Sequence, residues 1–152
     1  MDFAKEINQT KPFTSQAIKA MLNTVYTASK LQERQIALLK PYKINDQHYN
    51  ILRILKGKKG KAASPGQIKE VLIFSRGDLT RLIDKLVKLN FVVRKHNKND
   101  RRGVEITIST KGAELIEKIE QEFINKRVYD FNITEKEAQQ LNTLLDKLRE
   151  SK

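Results

Sequence analysis

Ser64-Pro65-Gly66-Gln67-Ile68-Lys69-Glu70-Val71-Leu72-Ile73-Phe74-Ser75-Arg76-Gly77-Asp78-Leu79-Thr80-Arg81-Leu82-Ile83-Asp84-Lys85-Leu86-Val87-Lys88-Leu89-Asn90 holds two helix starts within a dozen residues. Ser64 is a capping residue, Pro65 fits the first helical position, and Gln67 completes a capping box, so a helix opens here. It is short, with Ile68, Val71 and Leu72 turned inward, because a second cap follows at Ser75. A helix, a tight connection and another helix make a helix-turn-helix. In the second helix, expected from Arg76 to Asn90, Leu79, Leu82, Ile83, Leu86 and Val87 share one face. Stepping about 100° per residue puts Gly77, Thr80, Arg81, Asp84 and Lys88 on the opposite, mainly basic face.

Downstream, Asn90 suits the left-handed conformation at a helix end, and Phe91-Val92-Val93 begins a strand. Val104-Glu105-Ile106-Thr107-Ile108 alternates apolar and polar residues, the period of a half-buried strand. Between them, Asn97-Lys98-Asn99-Asp100-Arg101-Arg102-Gly103 is a polar, cationic hairpin tip. Ser109 then caps a helix running to about Tyr129, with Leu115, Ile116, Ile119 and Phe123 on one side. Thr134-Glu135-Lys136-Glu137 is another capping box, opening a helix with Ala138, Leu141, Leu144, Leu145 and Leu148 inward.

Upstream, Phe13, Ala17, Met21, Val25, Ala28, Leu31 and Leu38/Leu39 recur at roughly helical spacing until Pro41. Such a helix cannot cover its stripe on one small domain, so part of it is expected to meet another chain. Asn45 looks like the cap of a second helix, with Tyr49, Leu52 and Leu55 inward and its stop at Gly57. The surplus apolar periodicity of the first helix and the two C-terminal helices predicts a homodimer. The expected organisation is an N-terminal dimerisation helix over 1–44, a winged helix-turn-helix lobe over 45–108, and C-terminal dimerisation helices over 109–152. The fold class is mainly α with a small β-hairpin.

Charge is concentrated where the helix-turn-helix lies. Of the formal +12, residues 56–102 hold fourteen Lys/Arg against four Asp/Glu, while the segments on either side are nearly balanced. That is the footprint of a surface that neutralises a polyanion. With no Cys in 152 residues, disulfides, thiolate catalysis and Cys-based zinc or redox sites are excluded, and a reducing, cytoplasmic setting is expected. Apolar runs of at most four residues and a charged N-terminal segment predict neither a membrane span nor a secretory signal.

Two segments carry a resemblance: Leu79-Thr80-Arg81-Leu82-Ile83-Asp84-Lys85-Leu86 with Phe91-Val92-Val93-Arg94, and Asp100-Arg101-Arg102 with Ile106-Thr107-Ile108-Ser109-Thr110-Lys111-Gly112. The run Ser75 to Gly112 resembles the MarR family of winged-helix transcription regulators, and the order of elements over nearly the whole chain agrees. It departs from the family pattern at Asn90, where Gly is usual, and at Ser109, where Thr is usual; both keep the local role. The resemblance implies double-stranded DNA as partner, a homodimer on a pseudo-palindromic operator, and repression relieved by a small-molecule effector, often a phenolic anion. It implies Arg81 as base reader, with a phosphate contact as the alternative. Ser75, Arg76, Gly77 and Thr80 would accompany it on the recognition helix. Arg102 would enter the minor groove, with Asp100 bracing the loop and Lys98 and Arg101 attracting phosphates. Lys58, Lys59 and Lys61 would add general phosphate attraction. Tyr26, Tyr42, His48 and Tyr49 could line an effector cleft or serve as packing.

No enzyme is expected, and no catalytic residue, metal ligand or cofactor is assigned. His48 and His96 stand on different elements without a nucleophile or paired carboxylates, and there is no phosphate-cradling glycine loop. Glu114, Glu117 and Glu120 form an acidic stripe without a His at ligand spacing. Single-strand readers stack bases on aromatics, and the basic third has only Phe74 and Phe91, which argues for duplex DNA. The alternative is a sequence-independent architectural nucleoid protein.

Overall fold

Cap residues set most of the helix boundaries in the computed structural model, which describes residues 2–73, 78–96, 103–128 and 130–150. The elements in chain order are α1 (Phe3–Glu6), α2 (Gln16–Leu39), a 3-10 turn (Lys40–Tyr42), α3 (Asp46–Gly57), α4 (Pro65–Val71), α5 (Leu79–Lys88), β1 (Val92–His96), β2 (Val104–Ile108), α6 (Thr110–Asn125) and α7 (Glu135–Arg149). The side chains of Asn45, Ser64, Ser109 and Thr134 each accept a backbone N–H from the first turn of the helix they precede. Asn90 is left-handed at φ 60°, which ends the turn after α5 as expected.

Three features differ from expectation. The second helix of the helix-turn-helix starts, among the described residues, at Leu79, where Asp78 caps it by accepting from the N–H groups of Thr80 and Arg81; the expected cap, Ser75, lies outside the described residues. A carboxylate here satisfies two orphan donors and faces the positive end of the helix dipole. Val71 is exposed rather than inward, since α4 has only two turns and its core contact is Ile68, fully buried. Ala63 forms an antiparallel bridge with Ile106, so the β1–β2 hairpin gains a one-residue third partner that no periodicity announces.

The chain divides into two compact units, residues 34–128 and residues 1–33 with 129–152. In the first, α3, α4, α5, α6 and the hairpin enclose a core of Leu39, Ile51, Leu52, Leu55, Ile68, Ile83, Leu86, Ile106, Ile116, Ile119 and Phe123. Each such side chain contributes about 1.5–3 kcal/mol through its burial. β1 and β2 pair with Val92 opposite Ile108 and His96 opposite Val104. A helix-turn-helix followed by a two-stranded wing and a closing helix is a winged helix, the fold expected. The α6 residues Leu115, Ile116, Ile119 and Phe123 lie inside this core.

The second unit is built from α1, most of α2, and α7. Phe3 stacks with Phe13 and packs against Tyr26 at centroid distances of 5.8 and 5.7 Å. Ala20, Asn23 and Thr24 of α2 and Leu141, Leu144, Leu145 and Leu148 of α7 line an open groove. Met21, Val25, Leu141, Leu144 and Leu148 are exposed, so the expected inward faces of α2 and α7 are not covered within one chain.

Candidate nucleic-acid interface

α5 is held by α3, α4 and β1. Ile83 and Leu86 anchor it in the core, and this leaves Thr80, Arg81, Asp84, Lys85 and Lys88 directed away from it. Arg81 Nε lies 3.3 Å from Asp78 Oδ2, with 87% of the Arg81 side chain exposed. The guanidinium is thus steered by the capping carboxylate but remains open to a ligand. Weak exposed pairs of this kind are exchanged readily.

The wing is tied to α5 by a second ion pair. Arg94 on β1 donates from Nη2 to Asp84 Oδ1 at 2.6 Å. Arg94 pairs across the hairpin with the buried Ile106 and shares a strand face with Val92, so its side chain belongs to the helix-facing side of the wing. Pro65, Thr80, Ile83, Arg94, Val104 and Ile106 line a cleft of about 140 Å³ between α5 and the hairpin.

Of the residues expected at the interface, Thr80 and Arg81 are described, both exposed. Ser75, Arg76 and Gly77, and the wing residues Lys98, Asp100, Arg101 and Arg102, lie outside the described residues. Sequence reasoning left Asp84 without a role and did not single out Arg94. The signal was there: strand alternation from Val92 puts a cation on the core-facing side, which calls for an anion nearby. Lys61 stands two residues before Ala63, whose antiparallel bridge to Ile106 places that approach beside the Ile108 end of β2, away from the hairpin tip. Lys56 is engaged elsewhere, with Glu117 at 3.7 Å and Glu120 at 3.1 Å.

The residues weighed for an effector cleft act in packing. Tyr49 is buried against Phe123, with ring centroids 5.4 Å apart. Tyr42 donates to Glu122 Oε1 at 2.5 Å; this bond, with some burial, pushes its hydroxyl up to about 12. His48 is 4% exposed and closes the capping box of α3 by accepting from the Asn45 N–H. Burial, with Lys85 nearby, lowers its pKa to about 4. Tyr26 lies in the other unit, against Phe3. Among the described residues no cluster of His, Cys, Asp and Glu could hold a metal ion, and no helix is long and apolar enough to cross a membrane.

Residues 42–103 match the model of the MarR family. The chain is 30% identical over 90 residues to the HTH-type transcriptional regulator PapX of Escherichia coli, covering 59% of this chain and 55% of PapX. It is 41% identical over 58 residues to the multiple antibiotic resistance protein MarR of Escherichia coli K12, covering 38% and 40% of the two. Thus the chain matches about half the length of PapX and less of MarR in these alignments. The fold match is longer: a mutant MarR from Escherichia coli, solved in complex with operator DNA, superposes with a TM-score of 0.74 at 26% identity, over 99% of this chain and 100% of that one. The match to the MarR family's model at 42–103 and the architecture shared with MarR along the whole length make the chain similar to the regulators of that family.

Proposed function

We propose that the protein is a transcription regulator that binds double-stranded DNA sequence-specifically as a homodimer. The single observation that carries this reading is the outward-facing Thr80 and Arg81 on α5, beside a wing tied to the same helix, in a chain whose full-length structural neighbour is complexed with operator DNA. A helix of this kind fits the major groove, and an Arg can meet the O6/N7 edge of guanine bidentately. Arg102 enters the adjacent minor groove, whose narrow stretches attract cations. Asp100 braces the wing tip, and Lys98, Arg101 and Arg76 meet phosphates, with Ser75 and Gly77 at the approach to the recognition helix. The exposed apolar faces of α2 and α7 support a two-fold partner, which places two recognition helices about one turn of DNA, ~34–36 Å, apart.

The proposed output is repression, relieved by a small effector such as a phenolic acid. The similarity to the MarR family supports this part, and a matched relative is named transcriptional repressor MprA, of Escherichia coli. The effector must bind the DNA-incompetent arrangement more tightly than the competent one, since equal affinity shifts nothing. Selection from a random duplex library, repeated with a panel of phenolic acids, tests both parts. Enrichment of an inverted repeat supports specific binding; recovery of duplexes without a common sequence would support the architectural alternative. If no compound weakens binding to the enriched repeat, ligand relief is excluded for that panel.

A further inference from the structure

We propose that the cleft between α5 and the wing is a seat for a DNA backbone phosphate, with Arg94 as its cation and Asp84 as the residue that positions Arg94. The inference rests on the DNA-binding reading and deepens it. If α5 lies in a major groove and the wing tip in the adjacent minor groove, the strand dividing the grooves must pass between them. What the chain presents at that crossing is the cleft lined by Thr80 on the helix side and Arg94 on the strand side. A Thr hydroxyl and an Arg fork are both phosphate donors, and interactions of this type fix register without reading sequence.

Asp84 explains itself in this arrangement. A carboxylate on a DNA-facing helix repels phosphates, so on charge alone its presence is a cost. Yet Asp84 stands one turn after Thr80 and takes a single Arg94 nitrogen, Nη2, at 2.6 Å. The guanidinium has five N–H donors, so most of the fork remains available. The Arg94 side chain is 35% exposed, which leaves it accessible from the cleft. The pair thus trades some attraction for a fixed donor geometry.

The experiment measures the salt dependence of binding to two duplexes, one enriched by selection and one of random sequence, for wild type, Arg94→Ala, Arg94→Lys and Asp84→Ala. Each variant is checked for folding by circular dichroism and thermal unfolding. Arg94→Ala is expected to weaken both duplexes by the same factor and to reduce the steepness of log K against log salt by about 0.9 per seat, about 1.8 for the two seats of the homodimer. Arg94→Lys should keep the slope but lose affinity, because the charge remains and the fork does not. Asp84→Ala should weaken binding although it removes a negative charge. An unchanged slope in Arg94→Ala, or tighter binding by Asp84→Ala, overturns the proposal while leaving DNA binding intact. No binding of any duplex by wild type would overturn the DNA-binding reading and the seat together. A free phosphate ion has the same chemistry: if inorganic phosphate raised the Tm of wild type but not of Arg94→Ala, with duplex slopes equal, the cleft would be a free-anion site instead.

Discussion

A Cβ added to Gly112 would lie 2.1 Å from the carbonyl oxygen of Phe91, well inside van der Waals contact. The approach is organised by Ser109, whose hydroxyl accepts from the Gly112 N–H at 3.0 Å and donates to the Asn90 carbonyl at 2.7 Å. The Ser109 N–H donates to the Phe91 carbonyl at 3.0 Å. The start of α6 is thereby pinned to the junction where α5 hands over to β1, so one small residue sets how the closing helix meets the wing.

Gly112→Ala should therefore destabilise the protein. The obstruction is backbone, which cannot swing away, and overpacking of this kind costs about 1–3 kcal/mol. Gly57, the last residue of α3, has nothing within 4 Å of its added Cβ. Gly57→Ala should be neutral or stabilise by about 0.4–1 kcal/mol. Urea unfolding of both variants checks the contrast, and equal midpoints would contradict it.

Asp78→Ala should cost about 1 kcal/mol, the usual worth of a helix N-cap. Asp78→Asn should restore most of the loss, because an amide oxygen can still accept from Thr80 and Arg81. Chemical denaturation reads the difference; a loss that Asn does not repair would point to the Arg81 ion pair rather than the cap.

Stability should fall as pH is lowered through the His48 titration. Its folded pKa is depressed to about 4 from 6.5 by burial, helped by Lys85 and opposed by Asp46. Between those values the unfolded chain binds a proton that the folded chain refuses, so stability is fully present above about 6.5 and is lost toward 4. The slope cannot exceed about 1.4 kcal/mol per pH unit for one proton. His48→Gln keeps an acceptor at the capping-box position and should flatten the slope between about pH 5 and 6.5. Urea midpoints across that range decide it, and an unchanged slope in the variant would assign the dependence to other groups.

Much of the fold could be read from local chemistry. Ser64, Ser109 and Thr134 begin helices where their hydroxyls dictate, and the strand pattern Val104 to Ile108 matches β2. What could not be read depends on neighbours far along the chain. Ser75 and Asp78 are both competent caps three residues apart, and local preference does not choose between them. The Ala63 bridge is a single residue, without a period to detect. The closeness of Gly112 to Phe91 exists only once α6 has docked. At the interface, helical periodicity turned Thr80 and Arg81 outward, whereas the Asp84–Arg94 tie joins a helix to a strand ten residues on, beyond the reach of either element's own pattern.

The proposed homodimer should sediment at twice the chain mass of 17.6 kDa at micromolar concentration. Replacing Leu144, 62% exposed on α7, with Glu should shift it toward monomer without unfolding the 34–128 unit, since Leu144 lies outside that core. Sedimentation velocity with parallel circular dichroism checks this. A wild-type monomer at these concentrations would contradict the dimer.

If Arg81 on α5 reads bases, the ratio of affinities for the selection-enriched duplex and a scrambled duplex of equal length should differ between wild type and Arg81→Ala. The ratio is expected to fall by the equivalent of about 1–3 kcal/mol for each bidentate Arg–guanine pair that the substitution removes. Equal weakening of both duplexes, with the ratio unchanged, would contradict it and make Arg81 a phosphate anchor.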